Sequence, residues 1–421
     1  MQRRRFLKSS LLGSLSLAGL PYLNQAASGQ TFEWKGKKIL FLGDSITQAG
    51  DYINFLESSL LANSGKLHAE LLNLGLASET ISGLSEEAHP FPRPYLHDRL
   101  SKVLSATQPD IIFTCYGINC GIYRPFERDI FRTYQQGITQ LMKAADNQKA
   151  ELILMTPPPY AVLVDDRALA RADVKRDDFS YAKPYLAYDD VMRKYAEWLL
   201  SLQGEVKVID LQTPLRKFVS LCYDQDYIHP NRYGHQLMAI TILETLEWTP
   251  AKASLDVKMD SLHHQQENSF GQTWEASMPR LPYRVYTGQQ AYDSWIAGPE
   301  VKLVLENCSP GTYQLFDHNV LVGQYKGETL KTGIFLNHDK AGEMLKSLAP
   351  WQLSEKIYEL IAAKRNLYDY SLLQHIGHER PMSREGLPIS LAEKKRDEIR
   401  TQLRALLVPK RWKLNLVQLG Q

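Results

Sequence analysis

The sequence predicts an α/β domain: a five-stranded parallel sheet with helices on both faces. Two observations predict it. Short apolar runs alternate with helical patterns through residues 38–248, and several of the runs stop abruptly at glycine or proline. Residues 38–42 are an apolar run ending at Gly43, which suits a buried parallel strand. Residues 52–61 carry Ile53, Leu56 and Leu60 at helical spacing. Second and third strands are expected at 70–74 and 110–116, and a helix at 131–145 with Leu141 and Met142 on its apolar face. A fourth strand at 152–155 is closed by Pro157-Pro158-Pro159, a long helix follows at 184–202, and a fifth strand spans 206–209. A closing helix at 233–246 ends before Thr249-Pro250. In such sheets ligands bind at the carboxyl ends of the strands.

The composition then shifts. Residues 251–300 are polar and irregular, with Trp274, Tyr283, Tyr286 and Trp295 dispersed through them. Strand signals return at 301–305, at 313–316 and at 320–325, the last two flanking the turn Asp317-His318-Asn319. Residues 354–375 form a helical pattern with a stripe of Ile357, Leu360, Ile361 and Leu367, stopped by Gly377. A charge-rich helix is expected at 391–407, its basic side solvated and paired with Glu393, Asp397 and Glu398. The expected organisation is a signal at 1–29, an α/β domain at 33–249, a β-rich module at 250–342 and a helical extension at 343–421.

The first residues read as an address. Arg3-Arg4-Arg5-Phe6-Leu7-Lys8 precedes a weakly apolar run at 11–23 and the small residues Ala26, Ala27 and Ser28. The arginine pair resembles a twin-arginine export signal, which places the expected protein in the periplasm or outside the cell. The formal net charge of +2, from 49 basic and 47 acidic residues, gives no electrostatic reason for a nucleic-acid partner. No later segment is apolar for long enough to insert stably in a membrane. The oligomeric state is not legible. Cys115, Cys120, Cys222 and Cys308 fit no zinc spacing. They could pair in three ways, and a Cys120–Cys222 bridge would staple two loops of the candidate site.

The residues that carry chemistry cluster at strand ends. Gly43-Asp44-Ser45 directly follows the first strand, exposing Ser45 at the sheet's carboxyl edge. A serine hydroxyl needs a base, and that base needs an acceptor on its second nitrogen. Asp226 and His229, three residues apart on one loop before the closing helix, can supply both. Gly75 ends the second strand and Gly117-Ile118-Asn119 the third. The amides of Ser45 and Gly75 and the Asn119 carboxamide are the expected oxyanion donors. Arg93, in the proline-rich loop 90–94, is a candidate for binding an anionic or hydroxyl-rich substrate.

These blocks resemble the SGNH hydrolases, or GDSL esterases, in content and order, over roughly residues 37–248. The resemblance implies a flavodoxin-like three-layer α/β/α sandwich and hydrolysis of carboxylic esters without a metal or other cofactor. Cys120 follows the block-three asparagine where the family often has aspartate. The expected function is an exported esterase removing acetyl or other short acyl groups from glycans. The alternatives are a lipid or lysophospholipid esterase, and a non-catalytic carbohydrate-binding protein on a degenerate hydrolase fold. The loop 156–183, long and charged, reads either as a lid or as a surface excursion.

Overall fold

A computed structural model describes residues 32–64, 69–162, 173–224, 226–248, 255–259, 272–296, 301–305, 308–336, 348–381 and 385–419. The expected signal at 1–29 and the centre of the loop 156–183 lie outside the described residues.

The strands β1 (Lys38–Gly43), β2 (Glu70–Asn73), β3 (Ile111–Cys115), β4 (Glu151–Met155) and β5 (Lys207–Ile209) form one parallel sheet in the order β2-β1-β3-β4-β5. The helices are α1 (Ser45–Ala49), α2 (Asp51–Ser64), α3 (Leu96–Thr107), α4 (Arg128–Gln148), α5 (Tyr188–Ser201) and α6 (Arg232–Thr245). Crossovers between parallel strands are right-handed. The chain moves from β1 to β2 in one direction and from β2 through β3 to β5 in the other. That reversal puts α2 on one face and α3, α4 and α5 on the opposite one. Contacts agree: α2 packs on α6, and Tyr134 of α4 meets Tyr195 of α5 with centroids 4.5 Å apart. Between the layers Phe41 stacks on Phe113 at 4.9 Å. The reversal also leaves a crevice beyond the carboxyl ends of β1 and β3, where doubly wound sheets bind ligands. The expected flavodoxin-like architecture is therefore the observed one.

Helix α3 is absent from the sequence expectation, although Leu96, Leu100, Val103 and Leu104 are buried at helical spacing. The proline-rich run just before it dominates the local pattern.

The second half holds two small sheets. One is four-stranded, ordered β10-β9-β12-β7, and combines β7 (Gln272–Ser277), β9 (Thr312–Asp317), β10 (Val320–Lys326) and β12 (Arg411–Gln418). The other is three-stranded, with β6 (Leu255–Met259), β8 (Val301–Leu305) and β11 (Ile334–Phe335). Strands β6 and β7 fall in the stretch read as irregular, and β12 in the stretch expected to be helical. β12 buries Trp412, Leu414 and Leu416 on one face, a period-two pattern. The helices α7 (Ala349–Lys364) and α8 (Tyr370–Ile376) are joined by a π turn at Arg365–Asp369, and α9 (Ile389–Leu407) follows. These helices wrap the outer edge of β2, from α2 on one face to α3 on the other. The basic side of α9 is not merely solvated: Arg396 lies over the Tyr368 ring at 4.2 Å and faces Glu70 at 3.6 Å. All four cysteines are free and buried, so the Cys120–Cys222 bridge is absent. Cys120 Sγ instead accepts the Ile81 amide at 3.5 Å. Among the described residues no helix is long and apolar enough to cross a membrane.

The short helix α1 is defined at both ends. Asp44 caps it, accepting the Ile46 amide at 3.0 Å, and Gly50 closes it at φ +70°. Asp44 is 2% exposed. Burial pushes its carboxyl up to about 7, against the Ile46 amide and nearby His229, which favour the charged form. The native state thus keeps a proton that the unfolded chain releases. Asp44's contribution to stability is full below its ordinary value of 3.8 and fades as pH rises to about 7. Asn caps equally well and does not ionise. We predict that Asp44→Asn gains stability relative to wild type between about pH 4 and pH 7.5, by on the order of 1–3 kcal/mol. Denaturant titrations at the two pH values measure this, and a constant difference contradicts it.

Candidate active site

Ser45 is the first residue of α1, half-buried at the carboxyl end of β1. The turn that presents it needs glycine at position 43: a Cβ there would overlap the Thr47 side chain and the Cys115 carbonyl. Because Ser45 opens a helix, its own amide is among those with no intrahelical acceptor.

The loop before α6 brings the partners to it. Asn231 caps α6 by accepting the amides of Tyr233 at 3.0 Å and Gly234 at 3.2 Å, while its own amide donates to Cys222 O at 2.7 Å. This fixes the chain on either side of Pro230. His229 Nε2 lies 2.7 Å from Ser45 Oγ, and its Nδ1 lies 2.5 Å from Asp226 Oδ2. Asp226 Oδ1 also accepts the amides of Ile228 at 2.9 Å and His229 at 3.3 Å. Partial burial pushes the Asp226 carboxyl up. The hydrogen bond from His229 and the Ile228 amide outweigh it, so the carboxyl sits below its usual range. The hydroxyl, imidazole and carboxylate expected to meet are in hydrogen-bonded series. That geometry lets an imidazole take a proton from the hydroxyl while the carboxylate fixes its tautomer.

The loop after β2 lies against α1. Gly75 packs so closely on Thr47 and Gln48 that any Cβ would overlap their main chain, and the Ala77 amide donates to Gln48 Oε1 at 3.2 Å. The Gly75 amide, expected to face an oxyanion, instead donates to Asn73 Oδ1 at 3.0 Å. Three residues on, Ser78 stands at φ +67°, a conformation that favours glycine. Its carbonyl accepts from Arg93 at 3.2 Å, and its amide meets no acceptor among the described residues. Ser78 escapes sequence reading because a left-handed backbone at serine leaves no compositional mark.

Asn119 lies in the loop that follows β3. Its Oδ1 accepts the Tyr123 hydroxyl at 2.9 Å and its Nδ2 donates to Glu79 O at 3.2 Å, leaving one N–H with no acceptor among the described residues. Arg93 is not available to a substrate. It is 6% exposed and forms a bidentate ion pair with Glu86 at 2.6 and 2.7 Å. Its remaining bond holds Ser78, so its observed contacts brace the loop. Beneath the loop Arg99 pairs with Glu79 at 2.6 Å and donates to Leu74 O at 2.8 Å, and Tyr116 donates to Glu79 at 2.5 Å. A buried charge is tolerated only when paired in this way.

Residues 41–237 match the model of the GDSL-like lipase/acylhydrolase family. No curated protein matches the chain. Among solved structures, a gut microbial diltiazem-metabolizing enzyme is 14% identical with a TM-score of 0.65, covering 93% of this chain and 100% of that one. It shares the fold across both halves. An acetylxylan esterase from Geobacillus stearothermophilus is 21% identical over 51% of this chain and 96% of its own, with a TM-score of 0.37. An alpha/beta hydrolase enzyme from the metagenome of Lake Arreo, Spain, is 22% identical over 52% of this chain and 99% of its own, also at 0.37. The family match and the α/β fold agree with the Gly-Asp-Ser, Gly-x-Asn and Asp-x-x-His blocks: residues 41–237 are a GDSL-like lipase/acylhydrolase domain of the SGNH type, and the protein is a carboxylic ester hydrolase.

Proposed function

We propose that this protein is an exported serine esterase that removes short acyl groups from glycans. One observation carries the mechanism: the unbroken series from Ser45 Oγ through the His229 ring to Asp226, at 2.7 and 2.5 Å. In this reading His229 Nε2 takes the Ser45 proton as Oγ bonds to the ester carbon. The negative charge that develops on the carbonyl oxygen is met by the amides of Ser45 and Ser78 and by Asn119 Nδ2. His229 then gives its proton to the departing alcohol oxygen as the carbon–oxygen bond breaks. Water, activated by the same ring, releases the acyl group from Ser45. Asp226, held low by its three donors, remains a carboxylate throughout and stabilises the imidazolium.

The donor assignment departs from the expectation at Gly75, whose amide is committed to Asn73. Ser78 is supported instead by its position. Its neighbours are tied to the two other donor elements: Ala77 to α1 through Gln48, and Glu79 to Asn119.

The glycan preference rests on the export signal and on Tyr227. This ring lies between Asp226 and His229 in sequence and is 50% exposed. It is set edge-on to Tyr160 at 6.5 Å, and Tyr160 in turn meets Tyr188 at 5.8 Å. A backed, exposed aromatic face suits the apolar C–H face of a sugar ring while leaving its hydroxyls wet.

Ser45→Ala should lower turnover of p-nitrophenyl acetate by at least about 10⁴-fold with the fold retained by circular dichroism. Asn119→Ala should cost about 10²–10³-fold in kcat. A Ser45→Ala enzyme at wild-type rate removes the assignment. Ser78→Gly should keep kcat within about two-fold and raise stability by about 1 kcal/mol, because the donor is main chain and the strain disappears. Tyr227→Ala should raise KM on acetylated xylooligosaccharides by about 5–10-fold, and leave kcat/KM on p-nitrophenyl acetate within about two-fold. Equal effects on both substrates argue against the sugar contact. Preference for long-chain esters over acetyl glycans favours a lipid substrate.

A further inference from the structure

Strand β2 is the outer strand of the parallel sheet. Its residues alternate, with Glu70 and Leu74 donating toward β1 and the Asn73 amide directed to the open side. An open edge of this kind needs a cover. The cover is Asp369, at the end of the π turn between α7 and α8. It is 3% exposed, and its Oδ2 accepts the Asn73 amide at 2.9 Å and Arg365 at 3.2 Å. Arg365 is fixed in its turn by Asn54 Oδ1 at 2.8 Å and Glu57 Oε2 at 2.6 Å, and Lys364 also pairs with Glu57. π turns occur frequently at functional positions.

Asn73 passes this contact on. Its Nδ2 donates to Thr47 O at 2.6 Å, inside the helix that begins at Ser45. Its Oδ1 takes the Gly75 amide at 3.0 Å, at the root of the loop that carries Ser78. One side chain therefore ties the nucleophile's helix to the donor loop, and its main chain is tied to the C-terminal helices. We infer that Asp369 is a positioning residue: through Asn73 it sets the spacing between Ser45 and the Ser78 amide, so the C-terminal half completes the oxyanion site. The inference rests on the proposed reaction at Ser45.

Other contacts on this interface end elsewhere. Tyr358 donates to Asp51 Oδ1 at 3.0 Å, and Lys364 and Arg365 reach Glu57, all on α2. They make the control. With the full chain and p-nitrophenyl acetate, Asp369→Ala is expected to lower kcat by about 10-fold or more with KM within about two-fold, since a small displacement of a transition-state donor acts on turnover. The acid limb of its kcat/KM–pH profile stays in place, because the Ser45–His229–Asp226 series is untouched. Affinity for a trifluoromethyl ketone, which forms a hemiketal oxyanion on the nucleophile, falls by the same factor as kcat/KM. Asp369→Asn, which keeps an acceptor for the Asn73 amide, recovers most of the rate. Tyr358→Phe leaves kcat unchanged. Asn73→Ala cuts the relay without touching the ion-pair cluster, and carries the test if Asp369→Ala does not fold. Its expected signature is the same loss of kcat and of inhibitor affinity. A folded Asp369→Ala or Asn73→Ala with wild-type kcat overturns the inference, as does an equal loss in Tyr358→Phe. Those outcomes require an active wild type. A wild type as silent as Ser45→Ala on every ester instead overturns the proposed function.

Discussion

The site depends on the close approach of two backbone segments at the carboxyl end of the sheet. Gly43 and Gly75 have no room for a Cβ, the first against Thr47 and Cys115, the second against Thr47 and Gln48. The Gly75 contact presses the loop after β2 onto the turn after β1, and the Gly43 contact lets that turn lie against the end of β3. Everything else at the rim is placed relative to that joint. Asn73 bonds to both sides of it, Gln48 bonds across it, and Arg99 with Glu79 holds it from below. The strained Ser78 persists because its carbonyl is held by Arg93 and its neighbours are bonded to fixed elements.

Around this joint the polar chemistry divides in two. The series Ser45–His229–Asp226 is open to water, with side-chain exposures of 42% for His229 and 56% for Asp226. The charges that organise the loops are buried: Arg93 with Glu86, Arg99 with Glu79, and Arg365 with Glu57 and Asp369. Buried pairs are expensive to break and hold geometry firmly. Exposed groups remain free to exchange protons with solvent. The arrangement gives a rigid floor beneath a solvated reactive surface.

The sequence made the central sheet legible because each of its strands is a short apolar run, and most end at a marked residue. It singled out Ser45, His229 and Asp226 because only a few residue types can perform nucleophilic, basic and orienting roles, and the fold sets these three in hydrogen-bonded series. Asn73 and Asp369 could not be found this way. They are 296 residues apart, and their contact uses a main-chain amide, which every residue type but proline offers. Arg93 was misread because a cation near a pocket looks the same in sequence whether or not its carboxylate partner is buried beside it. Strand β12 did carry a readable alternation at Trp412, Leu414 and Leu416, but the long helical patterns before it set the expectation for the whole segment.

The place of β12 has a consequence for how the molecule is made. It lies between β9 and β7, pairing Leu414 with Asp317 and Leu416 with Gln272. Until this segment has emerged from the ribosome, β7 and β9 each present a bare edge, and edges of that kind recruit strands from other chains. The pairing with β7 spans well over a hundred residues and that with β9 about a hundred, so loop closure is slow compared with formation of the β9–β10 hairpin. Synthesis therefore leaves an interval in which the α/β layers can already be folded and the module is not. A folding helper that shields strand edges would act in that interval.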